Sequence, residues 1–277
     1  MGGVLGTARD GARFLLGLMF KGHHQCMWST ESSARSAICW LVLEEIWQRS
    51  TSVQPPLPEM WVLAVGAVAL VLTWSPLGYR VVRHVATLLH EAGHAIVGLL
   101  VGRQLRGIRL HSDTSGVTVS RGKPTGPGMV ATLLAGYPAP AVVGLGGAWL
   151  VSAGYAAGML WALVLLCALM LIFIRNFYGL WVILVTGVGV AVLSWTAPAE
   201  ILSMTAYLMV WSLLLVAPRA VVELQRSRRR KRSGTSSDAD QLARLTRIPA
   251  GFWIAVFWLI CVGCLVLGGW LLLNAGG

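Results

Sequence analysis

Long apolar runs separated by short polar punctuation dominate the chain. They lie near 60–77, 81–101, 129–151, 156–174, 177–195, 200–216 and 250–273. A helix crossing the hydrocarbon core of a bilayer takes about 20 mainly apolar residues, and these runs are of that order. The expected fold class is all-α: a polytopic membrane protein with about six or seven transmembrane helices. The third run is interrupted by Gly136-Tyr-Pro-Ala-Pro140. Prolines there break or kink a helix, which a membrane tolerates where the break lines a cavity inside the protein.

Two stretches follow other rules. In 102–128, Ile108 and Leu110, then Val117 and Val119, alternate with polar residues, and Asp113-Thr-Ser-Gly116 between them has turn composition. Period and punctuation predict a small β-hairpin inserted after the second run. Residues 218–248 begin basic, with Arg226-Ser-Arg-Arg-Arg-Lys-Arg232, and pass through Ser233–Ser237 into a short helix. Asp238 is its expected cap, Gln241 completes a capping box, and Leu242 and Leu245 give it one apolar side. The N-terminal lead, 1–59, is expected to be poorly structured or partly helical. Phe14–Phe20 is too short to span, Ser36–Trp47 is weakly amphipathic, and Pro55, Pro56 and Pro58 end it. Its first forty or so residues read as flexible, and a start somewhat before Glu44 would lose nothing assignable.

Composition agrees with the pattern. The chain is 56% hydrophobic and 12% charged, which describes an integral membrane protein and excludes an ordinary soluble domain. Trp61 and Trp74 sit where interfacial anchors belong. Gly98-x-x-x-Gly102 has the spacing of close helix packing. The formal net charge of +11 raises nucleic acid as a partner, but the positives gather between apolar runs, so none is expected. At Arg226–Arg232, beside a span end, anionic lipid is the expected partner. Placing 218–248 in the cytoplasm puts the N-terminus and the hairpin on that side and leaves Arg80–Arg83 as the basic segment outside. Cys261-x-x-Cys264 lies in the last apolar run without a partner pair, and reads as two small packing residues.

The candidate chemistry is in the second run, Leu89-His-Glu-Ala-Gly-His94. On a helix, His90 and His94 project from one face and can hold one metal ion. Glu91 lies beside them, where a carboxylate can take a proton from a metal-activated water. The unremarkable alternative is three packing residues. An apolar helix argues against it, because ionisable groups are costly in a membrane and mark function there.

A membrane helix carrying H-E-x-x-H, followed by a β-hairpin and further spans, resembles the site-2 protease family of intramembrane zinc metallopeptidases. The chain is most similar to the small bacterial branch of B type, through His90–His94, Gly107-Ile-Arg-Leu-His-Ser-Asp-Thr-Ser-Gly116, Arg175-Asn-Phe-Tyr-Gly179 and Ser237-Asp-Ala-Asp-Gln-Leu-Ala-Arg-Leu-Thr246. The resemblance runs from about Glu44 to the C-terminus. It implies Zn2+ as cofactor, His90 and His94 as ligands, Glu91 as catalytic base, and hydrolysis of a peptide bond in or near the membrane. The substrate would be a membrane protein or peptide, and the location a bacterial plasma membrane.

The family's third ligand is an aspartate from an Asp-Gly motif on a later helix, and this chain departs there. The matching segment, Arg175–Gly179, offers Asn176, which stands as the expected third ligand, with Arg175 a candidate substrate contact. Asp113 and His111 on the hairpin are further candidates, as are Asp238 and Asp240 folding back from the basic segment. The remaining option is no third ligand, in a proteolytically silent relative that binds a partner helix. A metal transporter is a third reading, which lacks a ladder of ionisable residues along other spans.

Overall fold

A computed structural model describes residues 40–230 and 237–275. The flexible lead and Phe14–Phe20 fall outside the described residues. The chain divides into two compact units, 1–49 and 50–277. In the first, the described residues 40–49 are helical.

The second unit contains α1 (Glu59–Trp74), α2 (Pro76–Leu100), β1 (Gln104–Leu110), β2 (Gly116–Arg121), α3 (Pro127–Leu134) and α4 (Ala139–Ser152). It continues with α5 (Ala156–Leu171), α6 (Phe177–Thr196), α7 (Ala199–Arg230), α8 (Asp238–Thr246) and α9 (Ala250–Leu273). By length and apolarity α6, α7 and α9 can each cross a membrane, and up to five spans result if two bent helix pairs count as one span each. The expected six or seven spans are not confirmed among the described residues, where two helix pairs pass only jointly and one apolar helix is short. Helices α1 and α2 meet at 94°, and α3 and α4 at 64°. Helix α5 has 16 residues, about 24 Å of helix against a hydrocarbon core of about 30 Å. The run near 200–216 is extended in the other direction: α7 continues through Pro218 to Arg230, so part of the basic segment is helical.

Each break has a local cause. At the α1–α2 elbow, the Ser75 hydroxyl accepts from the Gly78 N–H at 3.1 Å and Pro76 opens the new helix. This is a standard helix start: a serine cap followed by a proline that needs no hydrogen-bond partner. Helix α2 ends at Gly102, whose φ of +78° favours glycine, and the Arg103 N–H returns to the Gly98 carbonyl at 2.9 Å. Gly102 therefore terminates a helix; nothing packs within 4 Å of where its side chain would be.

Small residues bring α4, α7 and α9 together. Gly144 lies against Leu213 and Leu214, Gly147 against Val210, and Gly268 against Leu214 and Ala148. Cys261 and Cys264 are buried free thiols on α9, in keeping with a packing role.

The expected hairpin is present, with β1 and β2 antiparallel and Ile108 opposite Thr118. The outer edge of β1 is covered by the segment between α5 and α6. The Ile108 N–H donates to the Phe173 carbonyl at 2.8 Å, and the Arg175 N–H to the Ile108 carbonyl at 2.9 Å. A single bridge at Ile174, just before the Arg175–Gly179 motif, thus docks the hairpin on the helices.

Candidate metal centre

Helix α2 carries His90, Glu91 and His94 as expected. His94 and Glu91 are buried, and His90 is partly exposed. The His94 ring is oriented through Nδ1, which lies 2.7 Å from the Thr132 carbonyl. That carbonyl is in the last turn of α3, where it also accepts from the Ala135 N–H at 3.3 Å. With Nδ1–H donating to it, Nε2 keeps its lone pair for another partner.

The third member of the cluster is Asp238, the first residue of α8. Its Oδ2 lies 3.3 Å from His90 Nε2 and 3.2 Å from His94 Nε2, and the two nitrogens are 3.1 Å apart. The three atoms form a nearly equilateral triangle. Tetrahedral coordination with bonds of about 2.0–2.1 Å places donor atoms about 3.3 Å from one another, so a zinc-sized ion fits this set. Burial alone would raise the Asp238 carboxyl; hydrogen bonding with His90 and His94 outweighs it and holds the carboxyl well below the usual carboxylate range.

Space for an ion comes from Gly136. A side-chain carbon there would sit 2.4 Å from His94 Nε2 and 2.7 Å from His90 Cε1. Gly136 occupies the break between α3 and α4, so the interruption at Gly136–Pro140 does form a wall of the site. Tyr137 follows it, with its ring edge-on to His90 at 4.8 Å and stacked on Phe257. A cavity of about 300 Å³ reaches His90 and Glu91 and is lined by Tyr79, Arg83, Thr87, Gly116, Tyr137 and Glu223 among others. At its edge, Glu223 joins α7 to α2, accepting from the Tyr79 hydroxyl at 2.5 Å and from Arg83 at 2.7 Å.

The hairpin positions Glu91. The Thr118 hydroxyl on β2 donates to Glu91 Oε2 at 2.6 Å, and Gly116 leaves room for the carboxylate, since a side-chain carbon there would meet Oε1 at 2.6 Å. The Thr87 hydroxyl donates to the Thr114 carbonyl at 2.9 Å and ties the turn to the same helix.

The other sequence candidates lie elsewhere. Asn176, expected as third ligand, has its amide committed to the backbone of Leu110, donating to its carbonyl at 2.6 Å and accepting from its N–H at 3.1 Å. An amide offers both a donor and an acceptor, and a strand edge needs both, whereas a cation needs only the acceptor. Arg175 donates to the carbonyls of Ile172 and Ile174, and its stem covers Gly107. Neither residue is among those lining the cavity. Asp113 closes the hairpin turn, accepting from the Ser115 N–H and hydroxyl, and these bonds hold its carboxyl below the usual range. His111 stands beside Ser115 in that turn. Asp240 takes part in capping α8: the Ser237 hydroxyl accepts from its N–H at 3.3 Å and donates to its Oδ2 at 2.5 Å. The cap is therefore Ser237 with Asp240, one residue earlier than expected, which frees Asp238 for the histidines.

Thr118, Gly136 and the Thr132 carbonyl had no signal of their own in the sequence. For Gly136 the nearby prolines were the clue; for the others, only the packing of distant segments reveals them.

No curated protein and no solved structure matches this chain. Residues 63–268 match the family model described as Peptidase M50B-like, a span that takes in α2, the hairpin, α8 and most of α9. With the H-E-x-x-H helix, the apolar spans and the metal-competent cluster in place, the chain belongs to this family of membrane metallopeptidases of the site-2 protease type.

Proposed function

We propose that this protein is a zinc-dependent peptidase that cleaves peptide bonds of membrane proteins or peptides in or near the membrane. His90, His94 and Asp238 hold the ion, with Asp238 in the place first expected of Asn176. The observation that carries this reading is the approach of Asp238 Oδ2 to both imidazole Nε2 atoms at 3.2–3.3 Å. Zinc held there would polarise the scissile carbonyl and acidify a water molecule.

The chain's own groups supply the rest. Glu91, beside His90 on the cavity wall, takes a proton from the attacking water at a carboxylate oxygen and returns it to the leaving amine nitrogen. The Thr118 hydroxyl fixes Oε2 and with it the plane of the carboxylate. The His94–Thr132 bond fixes an imidazole, so little reorganisation is left for the reaction itself. A substrate helix must unwind to present a carbonyl in the 300 Å³ cavity. In this reading residues 218–248 face the cytoplasm, and the Arg226–Arg232 run, with Arg226 and Arg229 exposed, rests on anionic lipid.

Glu91→Gln separates chemistry from metal binding. The variant is expected to retain one zinc per chain and lose proteolysis by at least about 10²-fold, the scale of general-base catalysis. Cleavage at the native rate by that variant would overturn the mechanism. A silent, partner-binding relative would instead show no cleavage in the native protein, whatever its zinc content.

A further inference from the structure

Asp238 does not come from the helix bundle that presents the histidines. It opens α8, a helix of nine residues of which Ala239 and Leu242 are buried. A helix this short is marginal alone. A ligand position needs to be held to a few tenths of an ångström, so something outside α8 must define where its first turn lies.

Arg228 supplies that contact. It lies near the end of α7, in the basic run that the sequence assigns to lipid, but its guanidinium turns toward α8. Nε lies 3.0 Å and Nη2 2.7 Å from the same carboxylate oxygen, Asp240 Oδ1. The other oxygen, Oδ2, accepts from the Ser237 hydroxyl at 2.5 Å, and that hydroxyl accepts from the Asp240 N–H. One carboxylate thus joins the end of α7 to the cap of α8, and the two residues that flank the cap bond, Ser237 and Asp240, bracket Asp238. At the other end of α8, the Thr246 hydroxyl accepts from the Trp253 indole on α9 at 3.2 Å.

We propose that Arg228 is a positioning residue for the metal: through Asp240 and Ser237 it sets the place of Asp238 against His90 and His94. This rests on the zinc reading above. The guanidinium provides two donors in a fixed plane, which orients the carboxylate as a single ammonium cannot. Partners outside the ligand set commonly control metal affinity by 10–100-fold. The basic run accordingly has two jobs, with Arg228 turned inward and exposed Arg229 free of this duty.

The test measures Zn2+ affinity by chelator competition on the full-length protein in detergent, together with the visible spectrum of the Co2+-loaded form. Arg228→Ala and Asp240→Asn are each expected to weaken Zn2+ binding about 10–100-fold. The double variant should be no weaker than the weaker single, because both act through one contact. Arg228→Lys should recover part of the loss, and Arg229→Ala should leave affinity unchanged. The Co2+ bands of Arg228→Ala should shift or lose intensity, which a purely structural anchor would not cause. Asp238→Ala is the control for the underlying site. Should it bind zinc as tightly as the native protein, the zinc reading falls and this inference with it. If Asp238→Ala loses the metal while Arg228→Ala and Asp240→Asn keep native affinity and native Co2+ spectra, the positioning role alone is overturned, even if their metal-free forms melt at a lower temperature.

Discussion

At the scale of single residues, the His90–His94–Asp238 cluster depends on Gly136 as much as on its own side chains. Gly136 passes so close to the imidazoles that an added methyl would overlap His94 Nε2, at 2.4 Å, and nearby ring atoms of His90. The added carbon would be fixed to the backbone, so relief requires the imidazoles to swing away from their present places. Gly136→Ala is expected to drop bound zinc from one per chain to well below one half, read by metal analysis after dialysis. Far less effect is expected from Gly98→Ala, where the added carbon meets nothing nearer than 3.7 Å. The sequence marked Gly136 as part of a helix break. It did not mark it as a wall of the histidine cluster, because the atoms it approaches belong to another helix.

Among the elements, the hairpin and the Arg175–Gly179 segment form one device. The hairpin was legible from alternation and turn residues: Ile108 and Leu110 are buried as the period requires, and Asp113 bonds within the turn. The segment that pairs with it was read by position as a ligand source. Asn176 instead completes the strand edge by binding both backbone groups of Leu110. Asn176→Ala leaves those groups without that partner, which costs about 1–3 kcal/mol where they are shielded from water. Its melting temperature should fall while zinc remains at one per chain. Loss of zinc in a folded Asn176→Ala protein would restore this residue as a ligand candidate.

For the molecule as a whole, the proposed metal would be coupled to the fold through α8. Asp238 joins a surface helix to α2, and Arg228 joins the same helix to α7. Without an ion, Asp238 is held to the two histidines by hydrogen bonds alone. Chelation is therefore expected to increase amide hydrogen exchange in 238–246 selectively, with α4, α7 and α9 little changed, since their small-residue contacts do not involve the site. Readdition of Zn2+ should reverse it. Uniform protection with and without metal would show that α8 is docked independently of the ion.

Local rules determined much of this protein from its sequence. Two histidines four apart must share a helix face, alternating residues must form a strand, and long apolar runs must avoid water. These depend on neighbours along the chain, and so His90, Glu91, His94, the hairpin and the membrane character were readable there. Tertiary structure decided the remainder. Mean hydropathy does not register a 94° bend, so it does not say whether two apolar runs make two spans or one bent pair. The partner of the two histidines was not singled out either: Asp238 lies far downstream and stood as one of several candidates, behind Asn176, in a segment whose local signals describe a capped helix. What brings it to the histidines is convergence of distant segments: the break at Gly136, the path of α7 and, in the role proposed above, the bond from Arg228 to Asp240. No periodicity encodes that convergence, because it depends on which surfaces pack together once the helices have formed.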